Sequence, residues 1–367
     1  MGNQVNRRHF YHAMEDSVKD FKTPEQVLAF ANKVTSALVP HANFNLSGQH
    51  LSSYTAMAAH GGNLQDKITV LGQLCKSVGL SARTVIVPAW PHGNGNHKFV
   101  GVPKLEDGQV VDYLTVEPGD LEAFKGRKAV RAYQGEDHSI AKAFAKHPFS
   151  NFATPQNPLG QVKDITRFLT PTADLIVGPK THLENGPKIN EGDDGAYLHV
   201  MNSGFPAYVG SSNRIIEDKS GDKTIIFQDV GNARDTLYFV SDTVNMLGHR
   251  DVFSEITHPL ILRKNGSMSV LDGDHSSANG FGLYTLGEDI AEQRLSPGNA
   301  YFVGMWNRGN FSIVEQEVAT GRNGVGSLSN VMLSPGVAYH LFELSGPTTA
   351  SPIGRPFVAE DGRAVKY

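Results

Sequence analysis

An ordered series of landmarks occurs twice in the C-terminal part of this chain. Ala196-Tyr197 is followed by Asn202-Ser203-Gly204-Phe205, then Leu237-Tyr238-Phe239, His258-Pro259-Leu260 and Asn265-Gly266. Ala300-Tyr301 is followed by Asn307-Arg308-Gly309, then Ala338-Tyr339-His340, Arg355-Pro356-Phe357 and Asp361-Gly362. Asn-Gly and Asp-Gly are strong hairpin signals, because both central residues must reach positive φ. From about residue 160 onward, short β-branched and aromatic runs are broken by Gly, Asn, Asp and Pro. Two copies of one β-sandwich module are therefore expected, each of about 100 residues, over residues 156–275 and 276–367.

Residues 1–155 have a different texture and form the expected first domain, giving an α+β chain overall. Thr23-Pro24-Glu25-Gln26 combines a helix cap, a proline at the first helical position and a capping-box glutamine. Val27, Phe30, Ala31, Val34 and Leu38 follow at helical spacing, and Pro40 closes the segment. A second helix is predicted over Gln49 to Ala59. A third starts at Asn63, with Asp66 three positions on. Its apolar stripe is Leu64, Ile68, Leu71, Leu74, Cys75 and Val78, ended by Gly79. Strands are predicted at Ala82 to Val87, His97 to Val102 and Gln109 to Thr115, the first two separated by a Gly/Asn-rich loop.

Composition narrows the function. The formal net charge of -4 and the absence of a Lys/Arg run argue against nucleic acid as a partner. No apolar stretch approaches the roughly 20 residues needed to span a bilayer, so a soluble chain is expected. No signal peptide is visible behind Arg7-Arg8, and export or a surface location stays open if one was removed. The single cysteine, Cys75, excludes an internal disulfide and a Cys-rich zinc site. None of the 15 histidines shows ligand spacing on a helix, so no metal and no cofactor is expected. Gly321 to Gly326 lacks the strand-then-helix context of a phosphate loop and reads as a hairpin.

Three short motifs carry a family resemblance. Gly79-Leu80-Ser81-Ala82-Arg83 ends the third helix, Asn96-His97-Lys98-Phe99-Val100 opens the following long strand, and Val116-Glu117-Pro118 closes the next. Together with Pro88-Ala89-Trp90-Pro91-His92, this run resembles the transglutaminase-like superfamily, specifically a bacterial branch of the Bacteroidetes type. About 60 residues match closely. The resemblance implies a papain-like, cysteine-protease-type first domain. Family members use a cysteine at the helix start, a strand histidine as base and an acidic residue that orients the imidazole.

The register of the resemblance puts the nucleophile's place at Leu64, which has no nucleophilic atom. His97 and Asp112 are then a vestigial pair expected to face each other across adjacent strands, with Glu117 the weaker candidate for Asp112's role. Cys75 lies about 16 Å further along the helix and on its apolar stripe, where a thiol behaves as a small buried hydrophobe. The reading favoured is a catalytically inactive domain that is either a structural module or one whose cleft binds a peptide, protein or glycan through Trp90, His92, Asn94, Asn96, His97 and Glu117. Two alternatives remain: an active amidohydrolase, peptidase or acyltransferase using Cys75 and His97, and a subunit of a self-associating particle, filament or surface layer.

Overall fold

The capping box at Thr23 forms as its residues predict. The Thr23 side chain accepts the Gln26 N–H at 3.4 Å, and Gln26 Oε1 accepts the Thr23 N–H at 3.2 Å. The computed structural model describes residues 2–40, 61–91, 95–119, 139–146, 159, 161–183, 196–202, 204–212, 214–243, 253–273, 281–322, 325–344, 349–360 and 362–367. The helix expected over Gln49 to Ala59 lies outside them, as do His92 and Asn94.

The first compact unit comprises Met1–Val87, His97–Glu136 and Ala143–Leu169. Its helices are α1 (Gly2–Val18), α2 (Pro24–Leu38) and α3 (Leu64–Ser77). α3 is capped reciprocally by Asn63 and Asp66, at 3.0 and 3.1 Å. Phe10 and Met14 of α1, Leu28 and Ala31 of α2, and Ile68, Leu71, Leu74 and Cys75 of α3 share one core with Val100, Val102 and Val116 of the sheet. That sheet is antiparallel, in the order β3-β2-β1-β4-β5, from β1 (Arg83–Val87), β2 (His97–Glu106), β3 (Gln109–Val116), β4 (Phe144–Lys146) and β5 (Val162–Asp164).

The first unit runs past the expected boundary at residue 155. β5 pairs with β4, and the short helix α4 (Thr166–Leu169) follows it. Thr166 Oγ1 locks this end by accepting the Ala143 N–H at 3.0 Å and donating to Asp164 at 2.6 Å.

The second unit comprises Pro88–Asn96, Asp137–Lys142 and Thr170–Tyr367. Its first module holds β6 (Thr172–Val177), β7 (Ala196–Asn202), β8 (Phe205–Ser212), β9 (Arg214–Glu217), β10 (Lys223–Gly231), β11 (Thr236–Ser241), β12 (Leu260–Leu262) and β13 (Met268–Val270). The second holds β14 (Gly282–Leu286), a short helix α5 (Glu288–Ala291), β15 (Ala300–Asn307), β16 (Asn310–Val318), β17 (Thr320–Arg322), β18 (Val325–Leu333), β19 (Ala338–Leu344), β20 (Ala350–Glu360) and β21 (Arg363–Lys366).

The sheet orders are β6-β10-β9 with β13-β12-β11-β7-β8, and β14-β18-β17 with β16-β15-β19-β20-β21. Adding eight to each strand number of the first module yields the second, so the repeated landmarks mark a repeated topology. In each module the smaller sheet buries its inner residues against the larger. Leu175, Ile225 and Phe227 meet Leu198, Val200 and Tyr238, while Leu286, Leu328 and Val331 meet Tyr301, Val303 and Tyr339.

The two modules share a further apolar cluster that includes Leu237, Phe239, Phe253, Trp306, Val358 and Tyr367. Here the landmark turns have a purpose. A Cβ on Gly204 would stand 2.5 Å from Pro352 of the other module, and one on Gly309 would stand 2.7 Å from the Phe253 carbonyl oxygen. Both glycines also have positive φ, +79 and +101, so each turn needs glycine twice over. Arg263 closes the same junction, donating to Glu360 at 2.9 Å and to the Tyr367 hydroxyl at 2.6 Å.

Candidate functional site

His97 opens β2, opposite Val87 of β1, and Val100 pairs with Val116 of β3. That register makes residue 117, just beyond β3, a diagonal neighbour of His97, within reach of long side chains. His97 Nε2 and Glu117 Oε2 stand 2.8 Å apart, with side-chain exposures of only 11% and 8%. The Phe99 ring, centroid 5.9 Å away, flanks the imidazole. A carboxylate bonded to one ring nitrogen fixes the orientation of the other.

The expected pairing of His97 with Asp112 does not form. Asp112 lies opposite Lys104, seven residues further along β2, on the order of 23 Å at strand rise. Its carboxylate instead accepts the Tyr113 N–H at 2.8 Å. Glu117, the weaker candidate, is the partner.

Two helices complete the surroundings of Glu117. Asn32 of α2 donates to the Glu117 carbonyl at 3.2 Å and accepts the Gly119 N–H at 2.9 Å, which pins the chain as it leaves β3. Lys67, in the first turn of α3 and only 8% exposed, places its ammonium beside Gly119. Burial lowers the Lys67 pKa, and the nearby Glu117 charge opposes that shift. A buried cation, a carboxylate and an imidazole are thus held together by one sheet and two helices. Lys67 was visible in the sequence as a charge on the apolar stripe of α3, four residues before Leu71; Asn32 gave no such signal, being uncharged and off the apolar stripe of α2.

Leu64 occupies the first helical position of α3 and packs against the core. Cys75 is fully buried in that core, and burial pushes its thiol up to about 12. Trp90 belongs to the second unit and is 4% exposed, its carbonyl accepting Asn202 Nδ2 at 2.9 Å, so its ring does not line an open groove. Asn96 is exposed.

Among the described residues, no three His, Cys, Asp or Glu side chains are grouped as a metal site would require, and no helix is long and apolar enough to cross a membrane. No protein-family model matches the chain. No curated protein matches it either.

Proposed function

We propose that the front of this chain is an inactive transglutaminase-like domain that serves as a binding module, followed by two β-sandwich modules. The state of the only thiol carries the reading. Acyl transfer through a thioester needs a thiolate at the protein surface, and Cys75 is sealed in a core with its pKa raised to about 12. Leucine occupies the first position of α3, where the family resemblance puts the nucleophile. The His97–Glu117 pair, with Lys67 near Glu117, is then the polar group of a recessed binding site for a peptide or glycan.

The test begins with the native chain and iodoacetamide at neutral pH, read by intact mass. No adduct is expected until the protein is unfolded. Rapid native labelling of Cys75, or a covalent acyl adduct from an activated glutamine substrate, would sink the proposal. Peptide and glycan arrays then supply the positive arm. His97→Ala and Glu117→Gln should each weaken capture about tenfold, the value of one lost charge-assisted hydrogen bond. Captured ligands that hold both variants as tightly as the native chain would place binding elsewhere.

A further inference from the structure

A cavity of about 310 Å³ lies at the junction of the two β-modules. It is lined by the apolar Leu271, Met305 and Val337 together with the polar Glu255, His258, Asp272, Asn307 and Arg308. That combination, a mostly apolar recess with a few convergent polar groups, is the usual form of a small-molecule site. Glu255 comes from the first module and is 5% exposed. Trp306 of the second module, which also lines the cavity, donates its indole N–H to both Glu255 oxygens, at 2.9 and 3.1 Å, and so holds the carboxyl in place.

We propose that this cavity binds small molecules through a carboxylate group, held by Arg308 and Glu255, which both line it. Burial pushes the Glu255 carboxyl up to about 8, while the Trp306 hydrogen bond and the Arg308 charge pull it down less strongly. A carboxyl kept neutral near pH 7 offers an O–H, and a guanidinium is the preferred partner of a carboxylate. Asp272 is exposed, and Leu271, Met305 and Val337 would give the ligand's tail apolar contacts. Ionising Glu255 would set two negative charges together and expel the ligand.

The experiment titrates butyrate, benzoate and N-acetylalanine, each beside its neutral amide, into the full chain at pH 6 and pH 9. Saturation-transfer NMR and calorimetry read the binding. The acids should bind and their amides should not, with affinity falling about tenfold between the two pH values. N-acetylalanine binding more tightly than the other two would point to a peptide C-terminus, and equal binding to free acids. Arg308→Asn, which suits the left-handed backbone there (φ +46), should cost about tenfold or more. Glu255→Gln, which keeps a donor but cannot ionise, should retain binding and lose most of the fall with pH. Amides binding as well as acids, no transfer to any acid at pH 6, unchanged affinity in Arg308→Asn, or an undiminished fall with pH in Glu255→Gln would each overturn the proposal.

Discussion

Replacing Glu255 by glutamine should stabilise the two-module unit at pH 8 and have little effect near pH 4.5. The amide carbonyl can still accept the Trp306 indole N–H, which now bonds to the carboxyl at 2.9 and 3.1 Å, so the variant removes ionisation and little else. Glu255 holds its proton up to about pH 8 when folded, against an ordinary value of 4.5. Below the lower value both states are protonated and folding pays nothing for this group. Between the two values the unfolded chain has lost the proton and the folded chain has kept it, so stability falls as pH rises. Each pH unit in that window costs about 1.4 kcal/mol. Across the interval from 4.5 to about 8 the loss is on the order of 5 kcal/mol, and it is constant above. Urea titrations followed by tryptophan fluorescence provide the assay, because both tryptophans, Trp90 and Trp306, belong to the second unit. The difference in unfolding free energy between variant and native chain should grow steadily with pH and level off near 8. A difference that stays flat over this range would refute the reasoning.

Three further outcomes follow from the packing. Gly309→Ala must accept φ +101 and a Cβ 2.7 Å from the Phe253 oxygen, so it should cost about 2–3 kcal/mol; Gly362→Ala, at φ +76 with open space around it, should cost only about 1 kcal/mol, and equal urea midpoints for the two would count against the contact. Cys75→Ser puts a hydroxyl into a dry core and should lose about 1–3 kcal/mol, seen as a lower melting temperature by circular dichroism of the helical unit. Arg263→Met removes the bonds to Glu360 and Tyr367 at 2.9 and 2.6 Å and should cost about 1–3 kcal/mol, with the fluorescence-detected urea midpoint lowered and its dependence on salt reduced.

Much of the architecture was legible because the local signals were redundant. The α2 and α3 caps each combined a cap residue with its reciprocal partner, and both formed. The tandem β-modules showed through turn chemistry, since Gly204 and Gly309 are required by both φ and neighbour contact. α1 escaped notice because its stripe is narrow: Phe10, Met14 and Val18 stand among charged and polar residues. The extent of the first unit escaped for a different reason. β5 is a three-residue strand, and its pairing with β4 attaches it there. At the site, the sequence points to His97 and to both Asp112 and Glu117, but not to which carboxylate the imidazole meets. Strand register decides which carboxylate meets the imidazole, and a one-dimensional reading of Val110 to Leu114 cannot supply it. The Glu255 cavity was invisible for the same class of reason, since its walls come from both modules.

The repeated Asn-x-Gly landmark shows how a duplicated module acquires two uses. In both copies the glycine sits where the hairpin turn presses on the other module, and this packing requirement is enough to preserve it. The asparagine is not bound by that requirement. Asn202 clamps a loop of the chain itself, donating to the Trp90 and Gly95 carbonyls at 2.9 and 3.0 Å and accepting the Gly95 N–H at 3.0 Å. Asn307, at the same place in the second module, is exposed and borders the Glu255 cavity. One amide is committed to holding backbone in place, and its counterpart borders a recess. Topology is therefore what the repeat conserves, and recognition chemistry is what it varies.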